Sequence, residues 1–245
     1  MANPVLEFKN VTKTFGSLVA VQDLSFVVRP GEIYGLIGPN GSGKTTTLKM
    51  IAGLYRPTSG TVLVQGFDAV AASNRAKEHI GFVPDDPMAY DRLTGREFLQ
   101  FVGELFGMDR VLRDARIEEL LGEFGIHGLA DALFGGYSRG TKQKITIIAA
   151  LMHEPELLLI DEPMVGLDPA SARTVKRLLV NFAEKGGAIL LSTHTLAIAD
   201  EICGRFGVLK DGRLSVEGSK KQLLRRAKLE EGTLEDVYMA VTAGV

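Results

Sequence analysis

The stretch IYGLIGPNGSGKTT, residues 33–46, decides the fold of this chain. Its first five residues predict a buried strand, and the apolar spacing that follows Lys44 predicts a helix. Between them lies the pattern Gly-x-x-x-x-Gly-Lys-[Ser/Thr], which runs from Gly38 to Thr45. Glycines let such a loop point its backbone N–H groups at phosphate oxygens, and the next helix offers its positive end to the same anion. The order of strand, glycine loop and helix therefore predicts a phosphate-binding loop in an α/β fold.

Side chains at the end of this loop suit a triphosphate that carries a metal ion. Lys44 is expected to reach the terminal phosphates, and the Thr45 hydroxyl is expected to ligate Mg²⁺. The predicted nucleotide-binding residues of the loop are Gly38, Pro39, Asn40, Gly41, Ser42, Gly43, Lys44, Thr45 and Thr46.

A second apolar run, LLLI at residues 157–160, ends in Asp161 and Glu162. Ligands of open α/β sheets bind at the carboxyl ends of the strands, so we expect this pair beside the phosphate loop. Successive side chains of a strand point to opposite faces, which allows the two carboxylates separate roles. Asp161 is predicted to hold Mg²⁺, and Glu162 to orient the water that attacks the γ-phosphate.

Composition limits the class of protein. The chain has 245 residues, of which 45% are hydrophobic and 24% charged, and its net charge of −2 lacks the basic excess typical of nucleic-acid-binding proteins. The single cysteine, Cys203, excludes an intramolecular disulfide and favours a reducing compartment. We expect no signal peptide at residues 1–10 and no membrane span, since every apolar run is far shorter than roughly 20 residues. Action at a membrane would then require a partner.

The motifs stand in an order that resembles the nucleotide-binding subunits of ATP-binding cassette transporters, over essentially the whole chain. YSRGT at residues 137–141 lies where that family carries its signature, usually LSGGQ. Arg139 and Thr141 depart from the usual glycine and glutamine. From the residues alone Ser138 is a helix cap. The resemblance implies instead that Ser138 and Gly140 contact the ATP held by a second subunit.

Other positions match the family one by one. Phe15 resembles the aromatic residue that stacks on adenine, and His194 resembles the histidine that contacts the γ-phosphate. Asp85 stands in place of a glutamine, and its shorter, charged side chain is expected to contact metal or water. With Lys44 and Glu162, His194 completes the predicted catalytic set.

Asp168, in the sequence GLDP at 166–169, resembles the family's aspartate loop. It also precedes a proline at the first position of a predicted helix, which is a good capping arrangement. We assign Asp85 and Asp168 to dimer and coupling loops, and the metal contacts to Thr45, Asp161 and Asp85.

The implied fold is an α/β phosphate-loop NTPase core with a mostly parallel sheet, an N-terminal antiparallel β subdomain and an inserted α-helical subdomain. The predicted core covers residues 1–90 and 155–218, the helical subdomain 91–154 and a helical tail 219–245. Thr94 and Glu97 have capping-box form at a helix start. We interpret the apolar stripe Phe98, Phe101, Leu105 and Phe106 that follows as core packing.

The implied function is hydrolysis of ATP with Mg²⁺ to power a membrane-spanning permease subunit. The partners are that permease and a second nucleotide-binding subunit, in a homodimer or heterodimer, with no nucleic acid. The location is cytoplasmic, on the inner face of the cell membrane. Asp85, the variant signature and the short tail at 232–243 resemble exporter-type ATPases, so export is favoured over import.

Two other classes remain as alternatives. A non-transport ATPase of the same class would usually carry two cassettes or a long coiled coil, and neither is present in the sequence. A GTPase would show an Asn-Lys-x-Asp motif, which the sequence also lacks. A small-molecule kinase is the remaining phosphate-loop alternative.

Overall fold

The computed structural model describes residues 3–87, 89–227 and 229–242. Its strands are β1 (Leu6–Phe15), β2 (Leu18–Val28), β3 (Ile33–Ile37), β4 (Ser59–Val64), β5 (Phe67–Asp68), β6 (Ile80–Val83), β7 (Leu157–Asp161), β8 (Ala188–Thr193), β9 (Arg205–Lys210) and β10 (Arg213–Gly218). Its α-helices are α1 (Lys44–Ile51), α2 (Ser73–Glu78), α3 (Gly95–Leu105), α4 (Arg110–Glu123), α5 (Arg139–Leu151), α6 (Pro169–Glu184), α7 (Leu196–Ile202), α8 (Lys220–Arg226) and α9 (Leu234–Thr242).

The strands form two sheets. One is antiparallel, with the order β2-β1-β4-β5. The other has the order β10-β9-β3-β8-β7-β6 and is parallel except for the pair of β9 and β10. Together with the helices, this confirms the predicted fold class, including the antiparallel sheet near the N-terminus.

The central strands β3, β7 and β8 are buried along their whole length. Such continuous apolar runs are typical of parallel strands that are covered on both faces. In the register of the sheet Ile37 lies opposite Thr193, and Ser192 lies opposite Asp161. The carboxyl ends of all three strands therefore meet at one edge of the sheet.

The inserted helices confirm one prediction and correct another. The predicted capping box is present, with Thr94 and Glu97 each hydrogen-bonded to the other's backbone N–H at the start of α3. The interpretation of the apolar stripe as core packing is wrong for three of its four residues, because Phe101, Leu105 and Phe106 are 39%, 69% and 39% exposed. The buried face of α3 is instead formed by Gly95, Leu99 and Gly103, at the spacing of four that puts residues on one side of a helix.

A second apolar stripe packs this helical segment onto the sheet. Ile117 and Leu121 of α4 are almost fully buried and belong to the same apolar core as Leu158 and Ile160 of β7. The helices and the sheet share this core, so the packing does not mark where the helical subdomain begins and ends. The boundaries given from the sequence stay a prediction.

The C-terminal tail, which the sequence predicts to be helical over 219–245, does not form one continuous helix. It contains two helices, α8 and α9, because Thr233 caps a new helix through hydrogen bonds with the side chain and backbone of Asp236. Leu223, Leu234 and Val237 are buried against the sheet strand β9. Lys228 and residues 243–245 of the predicted tail, like residues 1–2 and Met88 of the predicted core, lie outside the described residues.

Across the described ranges, none of the helices combines the length with the apolar character that crossing a bilayer requires.

Core packing around β7 gives a first testable prediction. Leu159 is fully buried between its neighbours on the adjacent strands, so Leu159→Ala should lower the free energy of unfolding by about 2–5 kcal/mol. Urea unfolding followed by circular dichroism measures this change. The control is Leu112→Ala on α4, where the side chain is 68% exposed and the expected change is at most about 0.5 kcal/mol. An equal effect of the two substitutions would contradict the packing described here.

Candidate functional site

The glycine loop closes tightly against two neighbouring strands. A Cβ on Gly38 would lie 2.3 Å from the carbonyl oxygen of Leu209, and one on Gly43 would lie 2.5 Å from that of Ala20. Gly43 also has a φ of 105°, in the left-handed region that side chains disfavour. Both glycines are therefore required by the packing of the loop against β9 and β2, a reason that sequence reasoning did not supply.

Lys44 begins α1 and points back over the loop. Its ammonium donates hydrogen bonds to the carbonyl oxygens of Gly38, at 2.8 Å, and of Pro39, at 3.0 Å. Burial lowers the pKa of Lys44, and the charges of Glu162 and Asp161 oppose the decrease. The hydrogen-bond partners of Lys44 within the described part of the chain are these two neutral carbonyl oxygens. A buried cation with such partners is well suited to an anionic ligand, since charge burial is unfavourable without compensation.

Thr45 and Asp161 join the two predicted motifs. The Thr45 hydroxyl donates to Asp161 Oδ2 at 2.8 Å, across 116 positions of sequence. Asp161 is only 3% exposed. Burial raises the pKa of its carboxyl, and the hydrogen bond from Thr45 opposes the rise. A cation bound at this position would favour the ionised form of Asp161.

Glu162 follows β7 and is held by the end of β8. Its Oε2 accepts from the Thr193 hydroxyl at 2.8 Å, and its Oε1 accepts from the His194 backbone N–H at 2.8 Å. The His194 ring nitrogen Nδ1 lies 2.6 Å from the same Oε1. Three contacts thus determine the direction of this carboxylate.

Asp161 and Glu162 point in different directions, but not for the expected reason of alternation along a strand. The strand ends at Asp161, and Glu162 has a φ of 50°, in the left-handed region that few residues other than glycine adopt. A turn, rather than strand alternation, directs Asp161 toward Thr45 and Glu162 toward His194. Backbone strain of this kind is concentrated at functional sites.

A cavity of about 740 Å³ brings most of the predicted site residues together. The predicted residues that line it are Phe15, Asn40, Gly41, Gly43, Lys44, Thr45, Thr46, Asp85, Asp161, Glu162 and His194. The predicted residues that do not line it are Gly38, Pro39, Ser42, Ser138, Gly140 and Asp168. The first group converges from the phosphate loop and from the ends of the four strands β1, β6, β7 and β8.

Phe15 lies at the edge of this cavity and is 41% exposed. Its ring meets that of Tyr55 edge to face, with 5.2 Å between the centroids, and the ammonium of Lys13 lies 4.6 Å from the Phe15 centroid. An exposed aromatic ring held by such neighbours suits stacking on a planar base. Tyr55 and Lys13 have no motif in the sequence that would have identified them.

The variant signature has structural roles of its own. Ser138 caps α5 and accepts a hydrogen bond from the Thr141 backbone N–H at 3.2 Å. This confirms the helix cap that the residues alone predict. Gly140 packs on the loop at 166, since a Cβ on it would lie 2.6 Å from the Gly166 carbonyl oxygen. Arg139 donates to Asp85 Oδ1 at 3.1 Å, so two of the three residues that depart from the family pattern form an ion pair.

Asp168 is the predicted cap of α6. Its carboxylate accepts from the backbone N–H groups of Ala170 and Ser171, both at 3.0 Å, with Pro169 at the first helical position. Hydrogen bonds from Ser171 lower the pKa of Asp168 to about 2. The dimer contact that the resemblance implies for this residue stays a prediction.

The arrangement fits a nucleotide with its Mg²⁺. The Ser42 hydroxyl oxygen is buried and has no hydrogen-bond partner within the part of the chain that the structure describes, which suits a phosphate acceptor. The described residues contain no group of three or more His, Cys, Asp or Glu side chains that would hold a metal alone. Mg²⁺ in such sites needs only one or two carboxylates beside phosphate oxygens and water. Asp161 would supply the carboxylate, and the Thr45 hydroxyl beside it would supply a further oxygen ligand.

Sequence reasoning missed several lining residues. Leu18 and Val19 of β2, Val165 and the turn at 211–212 line the cavity, but none carries a motif. Arg139 also lines it, and its departure from the signature was the only signal that marked the position.

Comparison with known proteins bears on the whole site. The sequence pattern of the family described as ABC transporter matches residues 21–165. The Nod factor export ATP-binding protein I of Burkholderia lata is 38% identical over 219 residues, which cover 89% of this chain and 72% of that protein.

Solved structures agree with the sequence match. The structure of an ATP binding subunit of an ABC transporter superposes with a TM-score of 0.93 at 33% identity, covering 97% of this chain and 99% of the other. A dimeric post-hydrolysis state of the ATP-binding cassette MJ0796, bound to ADP and Pi, has a TM-score of 0.80 at 27% identity, covering 87% and 98%. The phosphate loop, the Asp161–Glu162 pair and the fold around them thus occur together in a chain that belongs to the ATP-binding subunits of the ABC transporter family.

Proposed function

We propose that this chain binds ATP with Mg²⁺ at residues 38–46 and hydrolyses it to drive export through a membrane-spanning partner. The observation that carries the proposal is the position of Glu162. Its carboxylate is fixed by Thr193 and His194 beside the cavity that Lys44, Thr45 and Asp161 line. A general base needs such fixed geometry near its substrate.

Phosphoryl transfer depends mainly on positioning and charge, and each residue here has a role of that kind. Lys44 and the loop N–H groups bind phosphate oxygens, while Thr45 and Asp161 would hold Mg²⁺, which supplies positive charge against the triphosphate. Glu162 orients the attacking water and accepts its proton, and His194 keeps the carboxylate in place.

A second nucleotide-binding subunit is part of the proposal. Ser138 and Gly140 do not line the cavity of their own chain, which leaves them available for the nucleotide of another subunit. The solved cassette bound to ADP and Pi is a dimer, which supports the same arrangement here.

We place the contact with the membrane subunit at an apolar groove of about 310 Å³ between α3, α5 and β6. Leu54, Phe98, Val102 and Phe106 line this groove, and Leu54 and Phe106 are 59% and 39% exposed. Exposed apolar side chains around a groove favour burial by a partner. Pro84, which lines the groove, directly precedes Asp85, the residue assigned to a coupling loop from the family resemblance.

Export is the direction that the relative from Burkholderia lata supports, because it is a Nod factor export ATP-binding protein. Because the partner spans a membrane and ATP is a cytoplasmic solute, we place the chain on the cytoplasmic face of that membrane.

The assignment of Glu162 is tested by Glu162→Gln. The amide keeps the shape of the side chain but cannot accept a proton, so ATP turnover should fall at least about 10²-fold while ATP binding is retained. Phosphate release and the fluorescence of a bound ATP analogue measure the two quantities. Glu156→Gln serves as the control, since Glu156 lies at the opposite end of β7 and pairs with His79. Turnover near the unmodified rate in Glu162→Gln would show that another residue is the base.

The groove is tested by Leu54→Glu. A charge there should weaken binding of the membrane subunit about tenfold or more, because a leucine side chain that the partner buries contributes about 1.5–3 kcal/mol. Copurification from membranes measures binding, and ATP affinity should stay unchanged. Leu129→Glu, at an exposed leucine that does not line the groove, is the matched control. Equal recovery of the membrane subunit with both variants would exclude this surface.

A further inference from the structure

Asp85 and Arg139 form an ion pair inside the cavity assigned to the nucleotide. Arg139 Nη2 lies 3.1 Å from Asp85 Oδ1 and donates also to the Asp85 carbonyl oxygen at 3.3 Å. Asp85 follows β6, whereas Arg139 is the first residue of α5. One guanidinium thus ties the start of a helix to the loop that leaves the sheet.

This pair shares its cavity with the predicted metal ligands. Both side chains line the cavity together with Thr45 and Asp161. Burial is the main reason for the raised pKa of Asp161, and the charge of Asp85 contributes to it in the same direction. A cation held between Asp161 and Thr45 would therefore attract the Asp85 carboxylate. In the structure that carboxylate already has one cationic partner, Arg139.

Separating this ion pair requires little free energy. Both side chains are 53% exposed, and an exposed ion pair contributes only about 0–1 kcal/mol. A divalent cation carries twice the charge of the guanidinium, so it competes effectively for the same carboxylate.

We propose that Asp85 is shared between two cations, the Arg139 guanidinium of its own chain and the metal ion of the bound nucleotide. Binding of the metal–nucleotide then replaces Arg139 at Asp85, and the start of α5 is released from the loop after β6. This inference rests on the proposed function, since it requires that the cavity bind nucleotide with its metal.

The surroundings of Arg139 relate this exchange to the rest of the site. The Arg139 stem lies against Gly166, where a Cβ would be 3.2 Å from Arg139 Cγ and Cδ. Gly166 belongs to the segment between Glu162 and the α6 cap at Asp168. Arg139 is therefore a positioning residue, since it acts through Asp85 and the segment at 166 and not through the reacting atoms.

The experiment measures the Mg²⁺ concentration needed for binding of a fluorescent ATP analogue. It uses the full chain with Glu162→Gln in every variant, so that hydrolysis does not consume the nucleotide. Removing the competing cation with Arg139→Gln should lower the Mg²⁺ midpoint about two- to fivefold. Asp85→Asn should raise the midpoint. The double variant should match Asp85→Asn alone, because Arg139 has no effect once the shared carboxylate is gone.

Two further variants separate exchange from a merely structural role. Arg139→Lys retains the cation and should keep the midpoint near that of the parent protein, while Arg139→Ala should lower it as Arg139→Gln does. Arg177→Gln removes an exposed arginine that pairs with Glu123 and does not line the cavity, so its midpoint should not change.

An unchanged or higher midpoint in both Arg139→Gln and Arg139→Ala would overturn the exchange. The same conclusion follows if Arg139→Gln shifts the midpoint equally with and without Asp85→Asn. If the parent protein binds the analogue normally and substitutions of Arg139 leave the Mg²⁺ midpoint unchanged, only this inference is overturned. If the parent protein has no affinity for the analogue at any Mg²⁺ concentration, the proposed function is overturned as well.

Discussion

The parallel pairing of β3, β8 and β7 in one register is the constraint on which the rest of this structure depends. It ends the three strands at the same edge, with Ile37 opposite Thr193 and Asp161 opposite Ser192. The phosphate loop, the histidine segment and the two carboxylates leave from those ends. A change of register by one residue would turn every side chain of a strand to the other face, so the apolar packing on both faces also determines the position of the charged groups.

Charge balance is the second feature of the site. Lys44, Asp161 and Glu162 are all less than a tenth exposed, although buried charges are costly unless they are paired. The protein compensates Asp161 with the Thr45 hydroxyl and Glu162 with Thr193 and His194. Among the described residues, Lys44 donates its hydrogen bonds to loop carbonyl oxygens, which are neutral. The site is thus arranged around an anion and a cation that its own side chains do not supply.

The helical segment joins this chemistry to the surface. Helices α3 to α5 pack on the sheet through a shared apolar core, yet they leave Phe106 partly exposed in the groove assigned to the membrane subunit. The first residue of α5 is Arg139, whose ion pair with Asp85 links the segment to the nucleotide cavity. One element therefore contacts both the place where nucleotide binds and the place where a partner is proposed to bind.

The sequence by itself determined the phosphate loop, the strand that ends at Asp161, the capping box at Thr94 and the α/β class, because these depend on local spacing and on runs of apolar residues. Family resemblance marked Asp85 and Arg139 as departures but did not indicate that they pair, since 54 residues separate them. Only the tertiary structure decided that ion pair, the left-handed turn at Glu162, the exposed side of α3 and the packing need for Gly38 and Gly43. Each of these depends on contacts between segments distant in the chain, and local pattern carries no information about which distant atoms will meet.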